Sequence, residues 1–185
     1  MFNLSNGDSM EYVEKTLKRN YIYKGKVINL RCDDAELFNG EPCKREIIEH
    51  SGGACVLCED NGKILFVKQY RYAYGESVLE IPAGKLNDGE EPCQTALREL
   101  AEETGIKAGD MEFLQVLYPT PGYTNEKIYL YRAKGIEKTK QNLDDGEFLD
   151  VVWITEEKVQ KMLNAGEIRD AKTVVALQRY FLEKR

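Results

Sequence analysis

Residues 84–106 read GKLNDGEEPCQTALRELAEETGI, and the fold turns on this stretch. Pro92 fixes φ for a first helical turn and Gly105 is a residue that can leave a helix with positive φ, so the sequence between them predicts one helix over 92–104, entered from a loop. On that helix Glu99, Glu102 and Glu103 stand three and four positions apart, which crowds three carboxylates onto one side. Like charges that close oppose folding unless something neutralises them. Arg98, four positions before Glu102, offsets one charge; a divalent cation with a preference for oxygen would balance the rest. A pair of glutamates on a helix is also an ordinary solvated face, and the helix alone does not separate the two readings.

Working outward, GGACVLCED at 52–60, a turn at Asp60-Asn61-Gly62 and KILFVKQYRY at 63–72 predict a hairpin of apolar strands that forms the central sheet. Before it, YIYKGKVINLRCDDAELFNGEPCKREIIEH at 21–50 reads as strands broken at Asn39-Gly40, a hairpin signal, preceded by a short helix over 10–19. After the central helix come strands over 112–118 and 127–133, an acidic loop NLDDGEF at 142–148, the apolar run DVVWIT at 150–155, and helices over 156–164 and 171–183. Hairpins rather than strict βαβ alternation predict an α+β chain: a mixed sheet between helices, an α/β/α sandwich, with extra antiparallel strands at the N-terminal end. The expected division is a strand region at 1–46, suited to dimerisation, and one catalytic domain at 47–185.

Composition narrows the function. At 185 residues the chain has room for one compact domain with a flap. With 26 basic against 32 acidic residues, net −6, it lacks the basic surface of a non-specific nucleic-acid binder. An anionic substrate would then need a metal or a local arginine cluster. Apolar runs of about five residues predict no membrane span, and five cysteines without a secretory signal predict reduced thiols and a cytoplasmic protein. Cys55 and Cys58 form a CxxC, but in an apolar segment without a second pair they read as strand core rather than zinc or redox chemistry. His50, the single histidine, reads as a strand-end residue, and nothing around it suggests a nucleophile.

The stretch at 84–106 resembles the Nudix box at every defined position: Gly84, Glu90, Arg98, Glu99, Leu100, Glu102, Glu103, Gly105 and Ile106. KQYRYAYGESVLEIPAGKL before it and YPTPGYTNEKIYLYRA after it look like the ADP-ribose pyrophosphatase branch of the Nudix hydrolase family. The resemblance implies hydrolysis of a nucleoside diphosphate linked to another group, by water and Mg²⁺ or Mn²⁺. It implies that Glu99 and Glu103 are the principal metal ligands, with Glu102 a further ligand and catalytic carboxylate and the Ala83 carbonyl completing the site. Gly84 would let the backbone approach closely, and Glu90 and Arg98 would form a supporting salt bridge. In this branch the catalytic base comes from a loop after the box; here Glu147 is the first candidate and Asp145 the second, against a plain acidic loop. Arg71 is implied for phosphate, Glu126 for a ribose hydroxyl, and Arg45 as a further substrate contact. Pro121, fifteen residues beyond Ile106, occupies a position that accompanies ADP-ribose preference, and Tyr70, Tyr72, Tyr74 and Tyr123 are candidates to stack on adenine. The implied reaction is ADP-ribose to AMP and ribose 5-phosphate, carried out by a homodimer built through the N-terminal strands. The alternatives are a pyrophosphatase for a GDP- or UDP-sugar, and a sensor that binds ADP-ribose without cleaving it. No box carboxylate is missing, which disfavours the sensor.

Overall fold

Asn39 and Gly40 lie in the turn of the hairpin that joins the strands over 28–36 and 42–50 in the computed structural model, which describes residues 12–184. Gly40 takes φ 87° and donates its N–H to the Leu37 carbonyl at 2.9 Å, a turn that a residue with a Cβ would strain. The chain packs as two units, one running to His50 and taking in Gly122–Asn125, the other formed by Ser51–Pro121 and Glu126 onward.

The first unit is a sheet of β1 (Lys15–Lys18), β2 (Tyr21–Lys24), β3 (Ile28–Glu36) and β4 (Pro42–His50). Both β1 and β2 pair with β3, and β4 pairs with it antiparallel from Ile28↔His50 to Glu36↔Pro42. The helix expected over 10–19 is corrected here: residues 15–18 form a strand, while Met10 and Glu11 lie outside the described residues. Lys15 sits opposite Glu36 and Lys18 opposite Asp34, and such cross-strand charge pairs outweigh a weak local helix preference.

The second unit comprises β5 (Gly53–Leu57), β6 (Glu59–Asp60), β7 (Lys63–Arg71), β8 (Glu76–Glu80), β9 (Ala83–Lys85), α1 (Pro92–Thr104), β10 (Ile106–Leu117), β11 (Ile128–Lys138), β12 (Leu149–Thr155), α2 (Glu156–Asn164) and α3 (Ala171–Glu183). One sheet runs β10-β11-β5-β9 with β11 parallel to β5; the other is centred on β7, between β12 and β6, with β8 also on β7. Side chains of β5 alternate between two cores. Cys55 and Leu57 pack with Ile64, Phe66 and the helix residues Val159, Ala176 and Leu177, whereas Ala54 and Val56 pack with Leu65, Ala96 and Leu100. Helix α1 therefore covers one face and α2 with α3 the other, the α/β/α arrangement expected. Cys55 and Cys58 are buried in these cores, where burial pushes both thiols up to about 12.

Two strand expectations change. The hairpin read from 52–72 shrinks to Glu59–Asp60 against Lys63–Ile64, because β5 leaves the turn to pair with β9 and β11 in the other sheet. A run buried on both faces has no alternation to name its partner. Strand β10 starts earlier and β11 ends later than expected: Gly109 and Gly135, outside the expected spans, fall opposite one another inside the ladder, where a Cβ on Gly109 would stand 3.3 Å from the Gly135 carbonyl. Among the described residues no helix is long and apolar enough to cross a membrane.

Candidate active site

Helix α1 buries a stripe of Thr95, Ala96, Leu100 and Glu103. Glu103, three residues past Leu100, is thus carried into the protein and is only 2% exposed. Its Oε2 accepts the Ala83 N–H at 2.9 Å, which fixes the carboxylate against β9. Burial, together with the charges of Glu99 and Glu147, pushes the Glu103 carboxyl up to about 8. Glu99, one turn earlier, lies over Gly84. A Cβ on that glycine would stand 1.8 Å from the Glu99 carboxyl carbon, so only a bare backbone fits there. Burial raises Glu99 as well, against the opposing pull of Arg98.

Arg98 organises the outer carboxylates. Its Nε and Nη2 donate to the two oxygens of Glu90 at 2.9 and 3.0 Å, while Nη1 donates to Glu99 at 2.7 Å and Glu102 at 2.9 Å. The Arg98 fork holds Glu90 well down, at about 2. Glu147, in the loop before β12, accepts from Gln69 Nε2 at 3.3 Å, and its charge is felt by both Glu99 and Glu103. The structure thus gathers Glu99, Glu102, Glu103, Glu147, Ala83, Gly84, Glu90 and Arg98, whereas Asp145 is exposed on the loop.

Whether these residues suit a cation can be judged from the donor set. Among the described residues no three His, Cys, Asp or Glu side chains form a ready-made cage, since Arg98 draws Glu99 and Glu102 while Glu103 turns to Ala83. The chemistry nonetheless fits a hard divalent ion: the donors are all oxygen, and a buried Glu103 and a half-buried Glu99, both with ionisation penalised, are what a positive charge would relieve.

A cavity of about 730 Å³ in the same unit is lined by Arg71, Glu126, Glu80, Lys172, Tyr74 and Tyr118, among others. Arg71 and Glu126, far apart in sequence, so meet at one opening, and Arg71 also feels the charge of Glu103. Arg45 lies in the first unit, on β4, ion-paired with Glu14. Tyr70, Tyr72 and Tyr74 are exposed around the turn after β7; Tyr123 belongs to the first unit.

Sequence reasoning missed the group behind Arg71. Glu80 accepts from Arg71 Nε and Nη2 at 2.6 and 2.8 Å and from Lys172, which also pairs with Asp170 at 3.0 Å. Burial pushes Glu80 up, yet Arg71 and Lys172 hold it below its usual value. A lone glutamate in the apolar run SVLEIP was the available signal, since an acid there must find a partner. Gln69 carried none.

A mixed sheet between helices, with carboxylates gathered where the glycine-bearing β9 meets α1, gives a site whose oxygen donors suit a hard cation. The NUDIX domain family matches residues 49–177, and the chain belongs to the Nudix hydrolase family. It is 45% identical to a methanol dehydrogenase activator from Bacillus methanolicus, over 90% of this chain and 92% of that protein. It is 44% identical to an ADP-ribose pyrophosphatase from Bacillus subtilis (strain 168), over 89% and 91%. In three dimensions it resembles a solved ADP compounds hydrolase with a TM-score of 0.79 at 21% identity, covering 92% of this chain and 95% of that one, which speaks for the fold.

Proposed function

We propose that the protein hydrolyses the pyrophosphate bond of ADP-ribose to AMP and ribose 5-phosphate with the help of Mg²⁺ or Mn²⁺. The observation that carries this reading is the gathering of Glu99 and Glu103 about Gly84 and Ala83, with the charge of Glu147 acting on both, in a chain 44% identical to an ADP-ribose pyrophosphatase over nearly its whole length. Glu99, Glu103, Glu102 and the Ala83 carbonyl would hold the cation. Bound there, a divalent ion supplies neutralisation of the pyrophosphate and a more acidic water.

The chain's own groups do the rest. Glu147 takes the proton of the attacking water, with Asp145 the second candidate. Arg71 binds a phosphate, its guanidinium held by Glu80, and Glu126 at the same cavity binds a ribose hydroxyl. Glu90 pins Arg98, which in turn positions Glu99 and Glu102. Arg45 contributes across a homodimer, and the protein works in the cytoplasm.

Incubating the purified protein with a panel of ADP-, GDP- and UDP-sugars and separating the products tests this reading. AMP and ribose 5-phosphate from ADP-ribose as the fastest reaction is expected; faster release of a nucleoside monophosphate from a GDP- or UDP-sugar would transfer the assignment to that substrate. The name of the 45% identical relative favours a second reading, activation of a dehydrogenase. Rate enhancement of an alcohol dehydrogenase by the wild-type protein but not by Glu103→Gln would support it.

A further inference from the structure

The last carbonyls of a helix have no partners within it and must find donors elsewhere. In α1 those donors come from a segment more than thirty residues downstream. Gly105, at φ 66°, returns its own N–H to the Ala101 carbonyl. The Glu102 carbonyl accepts the Asn142 N–H at 2.9 Å, and the Glu103 carbonyl accepts Gln141 Nε2 at 2.7 Å. The Gly105 carbonyl accepts both the Thr139 N–H, at 2.6 Å, and the Thr139 hydroxyl, at 3.1 Å. Residues 139–142 are the stem of the loop that carries Glu147.

The approach is close enough to require the glycine. A Cβ on Gly105 would stand 2.8 Å from the Gln141 nitrogen and 2.8 Å from the Thr139 oxygen, both backbone atoms that cannot swing aside. Glu147 is held at its other side by Gln69 on β7. Between these two fixings its carboxylate sits where its charge acts on Glu99 and Glu103.

We infer that Gln141 is a positioning residue: by capping the Glu103 carbonyl it docks the stem of the base loop onto α1, and so sets where Glu147 stands relative to the carboxylates of the same helix. The inference rests on the reading of Glu147 as the base. It makes the end of α1 and the loop one mechanical piece, so that disturbing the cap displaces a proton acceptor without touching substrate. A misplacement of about 1 Å is enough to cost a large factor in rate.

Gln141→Glu is the discriminating variant, because it keeps the shape of the side chain but offers an acceptor and a negative charge to a carbonyl at the negative end of a helix. It should lower kcat about tenfold or more with KM within about twofold, leave the thermal midpoint close to wild type, and speed hydrogen exchange at the Asn142 amide. Gln141→Lys, whose ammonium can donate to the same carbonyl, should retain most of the activity. In a Glu147→Gln background, Gln141→Glu should cause no further loss, since the group it positions no longer accepts a proton. A full additional loss in that background, or a loss carried by KM, would overturn the inference. Wild-type turnover by Gln141→Glu beside an impaired Glu147→Gln would overturn the tether alone, whereas wild-type turnover by Glu147→Gln would remove the base assignment and this inference with it.

Discussion

Glu103 combines a buried position, a single backbone donor and two like-charged neighbours, so the consequences of changing it can be worked out from its surroundings. In Glu103→Gln the amide oxygen can still accept the Ala83 N–H, and the buried charge is gone. The variant should fold with a thermal midpoint within about 3 °C of wild type. Its kcat/KM should fall by about two orders of magnitude or more, and the stabilisation that Mg²⁺ confers on the wild type should shrink. Turnover within threefold of wild type at saturating Mg²⁺ would refute its role as a ligand. Glu90 gives the opposite case, a carboxylate held down at about 2 by the Arg98 fork. Its folded value lies below its unfolded one, so its contribution to stability is present above about pH 4.5 and is lost as pH falls towards 2. Glu90→Gln should therefore lose about 1.5–3 kcal/mol at neutral pH, the scale of charged hydrogen bonds. The gap between wild-type and variant unfolding curves should close on acidification below pH 4.5, and a gap independent of pH would refute the ion pair as its source.

At the scale of elements, the site depends on β9 lying directly beneath α1. Gly84→Ala would put a Cβ into the Glu99 carboxylate. Because that carboxylate is the end of a flexible side chain, it can swing away; the variant should remain folded, with little change in midpoint, but lose about a hundredfold or more in kcat/KM together with its Mg²⁺ response. Circular dichroism, thermal unfolding and kinetics on one preparation check this, and an active Gly84→Ala would show that Glu99 need not lie there. Much of this element-level picture was legible in the chain. Pro92 and Gly105 bracketed α1, and the helices over 156–164 and 171–183 appear with those bounds. What stayed hidden were pairings set by tertiary contact: β5 left its apparent hairpin partner, and β1 replaced a helix. For the site, the box carboxylates could be read because their spacing is local. The Arg71–Glu80–Lys172 group and the Gln141 cap could not, because each joins residues brought together only by folding.

For the whole molecule, the telling feature is how little the first unit buries. Among its described residues only Asp33 and Ala35 are buried, while Leu17, Ile22, Tyr23, Val27 and Phe38 are each more than half exposed. A sheet with that much apolar surface in water has no core of its own and calls for a cover, and we propose that a second copy of the chain is that cover, since it would bring matching chemistry. Light scattering should then give about twice the 21.2 kDa chain mass, and a monomer that is fully active would overturn the dimer. If Arg45 serves the partner's substrate, two inactive variants should repair one another. Arg45→Ala keeps its own carboxylate site and lacks the arginine it lends; Glu103→Gln keeps the arginine and lacks the site. A mixed dimer of the two contains one site with both Arg45 and Glu103 intact. Random pairing on co-expression makes half of the dimers mixed, with one good site of two, so about a quarter of wild-type activity should return. If Arg45 acted within its own chain, every site in the mixture would lack one group or the other, and the activity would stay at the average of the two variants.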